Sequence, residues 1–287
     1  MSSSFACFLF DNGSFRADST RSLRSLAARL EVRLGHPVRA VSLLHSTRVP
    51  AAELDGEPAQ LLEPALDTWF GTEPNGRALL APLFFGPSGA LVDYVPERLA
   101  ALATRHPAAR AVLAEALVLP DEEPEELIAI LADRVRATLT EKGWVRPRVA
   151  LCDHGTPLPA VSAVRDRLAE GLARVLGDEV AGVAACSMER REGPEFAFNE
   201  PLLETLLATP PFDAGDVVVA LQFLSPGRHA GPGGDVAEIC ARAEAARSGL
   251  RTAMTVPIAD DERLVEVLAR RIEKAAGRLP AAPAALG

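Results

Sequence analysis

Two hydrophobic periods alternate along this chain. Residues 5–10, 38–44, 77–85 and 111–118 are apolar almost without a break, the pattern of strands buried on both faces. The stretches between them space their apolar residues for one face of a helix, plainly so in 19–34, where Leu23, Leu26, Leu30 and Leu34 recur every three or four positions. Further helices are predicted around 58–70, over 92–104 and over 124–139, with breaks at Asp11-Asn12-Gly13-Ser14, at Gly35-His36-Pro37 and in the loop after Phe85. Four strand and helix units in succession predict a parallel sheet covered by helices on both faces.

The series starts again after the hydrophilic connector 141–148. Strands are predicted at 148–152, 180–186, 216–224 and 251–256, with helices at 160–176, 233–248 and 260–275 and one that contains 201–208; the proline-rich end, 278–287, reads as frayed. The halves also agree residue by residue. LFDNGS at 9–14 matches ALCDHGT at 150–156, so Asn12 falls opposite His154. FFGPSGALVDYVPE at 84–97 matches FLSPGRHAGPGGDVAEI at 223–239, so Ala90 falls opposite His229, and the extra Gly231-Pro232-Gly233 restores the frame by Asp93 and Asp235. The reading is therefore a tandem duplication, with an α/β domain over 1–140 and another over 148–278, their sheet edges flanking a common cleft.

Composition narrows the partners. The 287 residues are 48% hydrophobic and 24% charged, as in ordinary globular domains, and the formal net charge of -9, with no Lys/Arg cluster, argues against a nucleic-acid partner. No stretch reaches the roughly 18 apolar residues of a membrane span. The start has no basic region before its short apolar run, so it reads as a first strand rather than a signal peptide, and a cytoplasmic monomer or homodimer is expected. Cys7, Cys152, Cys186 and Cys240 form no CxxC pair and read as buried thiols of a reducing compartment.

The candidate chemistry is in the differences between the halves. His154 follows the first strand of its half and His229 the third, so in a parallel sheet both project from the carboxyl edge, where such folds bind ligands. Two facing imidazoles suit cobalt, nickel, iron or zinc, and equally suit proton abstraction near neutral pH. The glycines around His229 let backbone approach a flat or bulky ligand. His36, His45 and His106 read as hydrogen-bonded loop residues. Asp235 and Asp93 read as helix caps, Asp153 and Asp11 as structural residues at strand ends, and Ser14 and Thr156 as hydroxyls that bond turn backbone. The loop GPGG has neither the GxGxxG nor the Walker spacing, so a nucleotide is not expected.

On DHGT at 153–156 and FLSPGRHAGPGGDVAEI at 223–239, with APLFFGPSGALVDYVPE as a copy lacking the histidine, the chain resembles the class II chelatases of tetrapyrrole biosynthesis, the CbiX/SirB-type sirohydrochlorin chelatases. The resemblance spans nearly the whole chain as two flavodoxin-like repeats, the first degenerate. It implies insertion of a divalent metal, cobalt or iron, into sirohydrochlorin with release of two pyrrole protons, in cobalamin or siroheme biosynthesis and with no organic cofactor. His154 and His229 would be the metal-binding and catalytic pair, with Glu189 as a further metal-delivering carboxylate. Arg228, Arg190 and Arg191 would clamp substrate carboxylates. The alternative is a chelatase relic that binds a metal or tetrapyrrole without turnover.

Overall fold

The computed structural model describes residues 5–279, so the proline-rich end read as frayed lies almost entirely outside the described residues. The first half runs β1 (Ala6–Asp11), α1 (Ala17–Leu34), β2 (Val38–Ser42), α2 (Leu62–Thr72), β3 (Arg77–Pro82), α3 (Val95–Arg105), β4 (Arg110–Leu113) and α4 (Glu125–Lys142). The second runs β5 (Arg148–Asp153), α5 (Pro159–Leu176), β6 (Gly182–Ser187), α6 (Leu203–Leu206), β7 (Gly215–Leu221), α7 (Asp235–Ala246), β8 (Leu250–Met254) and α8 (Glu262–Ala276). All strand pairs are parallel, and the two sheets share one order, β2-β1-β3-β4 and β6-β5-β7-β8.

The unbroken apolar runs form strands because both faces of each sheet are covered. Phe8, Phe10, Ala78 and Leu80 pack into one layer, while Cys7, Leu9, Leu79 and Ala81, which point the other way, are equally buried. All four cysteines are free and buried. Helix ends follow local chemistry. Gly35 and Gly143 take left-handed φ of 72° and 66° and close α1 and α4, so the connector begins inside a helix terminus.

The sequence overestimates some elements. After Leu113 the chain leaves β4, yet Ala114, Leu117 and Val118 still donate to the carbonyls of Leu80, Phe84 and Phe85, which keeps an apolar, strand-like sequence in a loop. The helix expected over 201–208 is a single turn. Ahead of α3 the backbone winds as a π-turn, Ala90–Tyr94, where the second half instead spends three more residues on a loop.

The chain forms two compact units that differ from the two sequence repeats by one exchanged helix each. One unit takes the chain up to Leu119 and again from Leu264; the other is Pro120–Arg263. Domain limits of 1–140 and 148–278 would leave α4 with the first sheet, but α4 packs on α5 and β7. Its Ile128 sits against Gly171 of α5 so closely that a Cβ there would lie 2.2 Å from the Ile128 Cδ1. Nearly all of α8 belongs to the first unit, where Glu266 and Glu273 pair with Arg33 of α1 and Lys274 with Glu115. Among the described residues no helix is long and apolar enough to cross a membrane.

Candidate metal-handling site

In the second unit β5 and β7 are neighbours, with β6 outside one and β8 outside the other. Successive connections therefore leave in opposite directions from the β5/β7 gap, and the crevice at its carboxyl end is where an open parallel sheet receives ligands. His154 follows β5 directly and His229 lies in the loop after β7.

The His154 turn is built by its neighbours. Gly155 has φ of 94° and lies against the Glu189 carbonyl, where a Cβ would come within 1.8 Å of the oxygen. The Glu189 N–H donates to the His154 carbonyl at 3.2 Å and the Gly155 N–H to Asp153 Oδ1 at 3.0 Å. This arrangement recurs in the first unit, where Leu44 donates to Asn12 at 3.1 Å and a Cβ on Gly13 would lie 1.7 Å from the Leu44 carbonyl oxygen. Among the differences between the matching turns, Asn12 stands for His154 and Leu44 for Glu189.

The His229 loop folds back on the start of α7. Asp235 and Val236 donate to the carbonyls of Arg228 and His229 at 3.3 and 3.2 Å, and Ala230 is buried beneath them. Gly234 is required here for the loop itself, since its Cβ would lie 2.8 and 2.9 Å from those same two carbonyl oxygens. The close approach expected toward a ligand is made, at this glycine, toward the chain's own backbone.

The two rings meet edge to face, with centroids 4.6 Å apart and planes at 75°. His154 Nδ1 lies 3.1 Å from the Gly155 carbonyl, which can only accept, so Nδ1 carries the proton of the neutral ring and the lone pair is on Nε2. His229 Nδ1 lies 2.6 Å from Asp235 Oδ2, and the same reasoning leaves its lone pair on Nε2. Glu189 Oε1 stands 3.5 Å from His154 Nε2. Among the described residues no three His, Cys, Asp or Glu side chains gather tightly enough to hold a metal ion, so the expected trio of His154, His229 and Glu189 is not closed.

Asp153 keeps its expected structural place. Burial raises its carboxyl above the ordinary value, and the Ser187 hydroxyl and the Arg165 guanidinium pull it back. Thr156 Oγ1 accepts from Leu158 N–H and Ser14 Oγ from Arg16 N–H, as expected of turn hydroxyls. Arg228 is 72% exposed, its Nε 3.7 Å from Asp235. Arg190 is already engaged within its own loop, by Glu200 at 2.6 Å and by the carbonyls of Arg191 and Gly193 at 3.1 and 2.9 Å. Arg191 lies over the Phe196 ring.

Asp235 is a correction. It does not cap α7, whose N-cap is Gly234 with no side-chain bond; its carboxylate faces His229 instead. Asp93 likewise caps nothing and lies inside the π-turn. Sequence reasoning also passed over Arg165 and Asn199, both buried under the His154 turn. A signal for Arg165 existed: in the repeat it stands opposite Leu23, a charge in a core position. An apolar cavity of about 390 Å³ in the first unit, lined by Leu43, Leu66, Tyr94 and Leu99, has a rim of Glu63, Asp67, Arg98 and Arg105 that is paired within itself.

Residues 148–275 match the model of the CbiX family. SirB, the sirohydrochlorin chelatase from Bacillus subtilis subspecies spizizenii, in complex with cobalt, superposes with a TM-score of 0.67 at 14% identity, over 95% of this chain and 95% of that one. SirB from Bacillus subtilis with Fe3+ gives 0.64 at 14% identity, over 95% and 96%. CbiX, described as the terminal enzyme for biosynthesis of siroheme in denitrifying bacteria, gives 0.58 at 19%, over 94% and 99%. No curated protein sequence matches the chain.

Proposed function

The C-terminal half of the chain, residues 148–275, belongs to the CbiX family, and from that premise we propose that the protein is a sirohydrochlorin chelatase. Its reaction takes a divalent metal and the free macrocycle to the metallated macrocycle and two protons. The observation that carries the reading is the meeting of two imidazoles whose Nε2 lone pairs both stand away from their Nδ1 partners, at the carboxyl edge between β5 and β7.

The geometry supports each role. Two neutral imidazoles bind a borderline divalent ion firmly enough to collect it, yet leave its other positions open to the pyrrole nitrogens. Once the metal passes to the macrocycle, the same Nε2 atoms are free to take the pyrrole protons. Glu189 beside His154 supplies an anionic oxygen for the incoming cation or a relay for the departing proton. Arg228, exposed beside His229, is a cation available to a substrate carboxylate. The metal, cobalt or iron, is substrate; both occur with the SirB structures named above. The reaction would serve cobalamin or siroheme biosynthesis in the cytoplasm.

The test is the anaerobic initial rate of cobalt insertion into sirohydrochlorin, corrected for the spontaneous rate, for His154→Ala and His229→Ala. The first unit has Asn12 and Ala90 at these places, so no duplicate backs up either histidine and each variant should lose most activity; Asn12→Ala should lose none. Wild-type rates in both histidine variants would place the chemistry elsewhere. Binding of sirohydrochlorin without metallation by the wild type would favour a carrier.

A further inference from the structure

A buried polar cluster lies under the His154 turn, and at its Arg165 and Asn199 the first unit has the apolar Leu23 and Pro58. Asn199 is 0% exposed. Its Oδ1 accepts from the Thr156 N–H at 2.9 Å, and its Nδ2 donates to the Thr156 carbonyl at 2.9 Å and the Phe196 carbonyl at 3.0 Å. One side chain therefore satisfies both backbone groups of Thr156, two residues after His154. The segment carrying Asn199 is fixed in turn by Arg165 of α5, 2% exposed, which donates to the carbonyls of Asn199 and Phe198 at 3.1 Å each and to the Ser187 hydroxyl at 2.6 Å. Asp166 balances its charge at 2.7 Å. Ser187 hydrogen-bonds Asp153, which receives the Gly155 N–H. Residues on both sides of His154 are thus held by one connected network.

Burying an amide and a guanidinium is costly unless their donors and acceptors find partners, so such a cluster needs a reason. The fold does not supply one. Helices α1 and α5 have the same length and place Leu23 where Arg165 stands. The bridges Ser42 to Leu61 and Ser187 to Leu202 align the following segments and place Pro58 where Asn199 stands. The same turn, with the same glycine, forms in the first unit on hydroxyls alone: Ser46 Oγ accepts the Ser14 N–H at 3.3 Å and donates to Ser42 Oγ at 2.8 Å, and Ser42 hydrogen-bonds Asp11, with neither an amide nor a guanidinium buried there. What that turn lacks is a ligating side chain.

We infer that Asn199 and Arg165 are positioning residues for His154, holding its ring so that Nδ1 meets the Gly155 carbonyl and Nε2 faces Glu189 and the neighbouring histidine. The inference rests on the metal-handling role proposed for His154. Removing the clamp leaves the histidine present but free to swing, as loss of outer-shell partners does at metal sites generally.

The test uses the full chain and three readouts: cobalt(II) affinity by titration, the rate of cobalt insertion, and the nitrogen NMR signals of the His154 imidazole without metal. Asn199→Ala, and Arg165→Leu, which installs the residue of the other unit, should each lower affinity and kcat by roughly 10–100-fold with KM for sirohydrochlorin little changed. In a His154→Ala background the same changes should cost nothing further, because they act through that ring. The His154 signals should move from one Nδ1–H form to a mixture of tautomers, and Arg165→Lys should recover part of the loss. Equal losses with and without His154, or a folded Asn199→Ala protein with wild-type cobalt affinity and His154 signals, would overturn the inference. So would failure of all three variants to fold, which would make the cluster a stability element. If the wild type proves not to be a chelatase, the imidazole signals still decide whether the cluster positions His154.

Discussion

Asp235 Oδ2 lies 2.6 Å from Nδ1 of His229, and the two residues are separated by a glycine-rich loop that doubles back to bring them together. The carboxylate sits in the first turn of α7, where the free N–H groups and the helix dipole favour negative charge. An anion held there fixes the imidazole tautomer and keeps the lone pair on Nε2, where it is open to a metal or a proton.

Asp235→Ala should therefore lower the cobalt-insertion rate by roughly 10–100-fold. Asp235→Asn should cost less, since an amide oxygen still accepts the Nδ1 proton and only the charge is lost. Because no side chain caps α7, the melting temperature should change little in either variant. Rates and melting curves on the same preparations check this. A rate loss that tracked a loss of fold would return Asp235 to a structural role.

The matching glycines allow a paired experiment. A Cβ on Gly13 or Gly155 would press to 1.7 or 1.8 Å from a carbonyl oxygen, at φ of 90° and 94°, so either alanine forces its turn open. Each should destabilise by roughly 1–3 kcal/mol through the strained backbone alone. Gly155→Ala should also displace His154 and Glu189 and abolish metallation. Gly13→Ala moves only Asn12 and Leu44, and the folded fraction should keep wild-type specific activity. Denaturant titration and activity per folded molecule separate the two effects.

This pairing also shows why the fold was more legible in the sequence than the site. Unbroken strands such as 5–10 and helices such as 19–34 announce themselves through periods that survive any context, and two copies of each made the parallel architecture readable. His154 and His229 stood out because the first copy lacks them. The partners that aim them did not. Asp235 stands where a helix cap is ordinary, and only the folded loop reveals its contact. Asn199 lies far from His154 in sequence, and Asn199 and Arg165 reach the residues beside that histidine through tertiary hydrogen bonds that periodicity cannot show. The exchange of α4 and α8 between units was hidden for a related reason: an amphipathic helix states which face it buries, not which sheet receives it.

Asp11 yields a prediction about stability rather than activity. Burial pushes its carboxyl from an ordinary 3.8 up to about 6, with Ser42 and the Gly13 N–H only partly offsetting the loss of water. One of its oxygens is enclosed with no hydrogen-bond partner. The folded protein thus holds the proton more strongly than the unfolded chain, so ionising Asp11 opposes folding. That cost is fully present above about pH 6, shrinks as pH falls through the interval, and is gone below 3.8. Asp11→Asn removes the ionisation and should stabilise the protein at pH 8, by up to about 3 kcal/mol for a shift of this size, with the gain fading toward pH 4. Asp153→Asn should gain less, because Arg165 and Ser187 already favour its charged form. Urea titrations of the wild type and both variants at pH 8, 6 and 4 measure the difference. A gain that did not depend on pH would show that packing, not ionisation, sets the effect at Asp11.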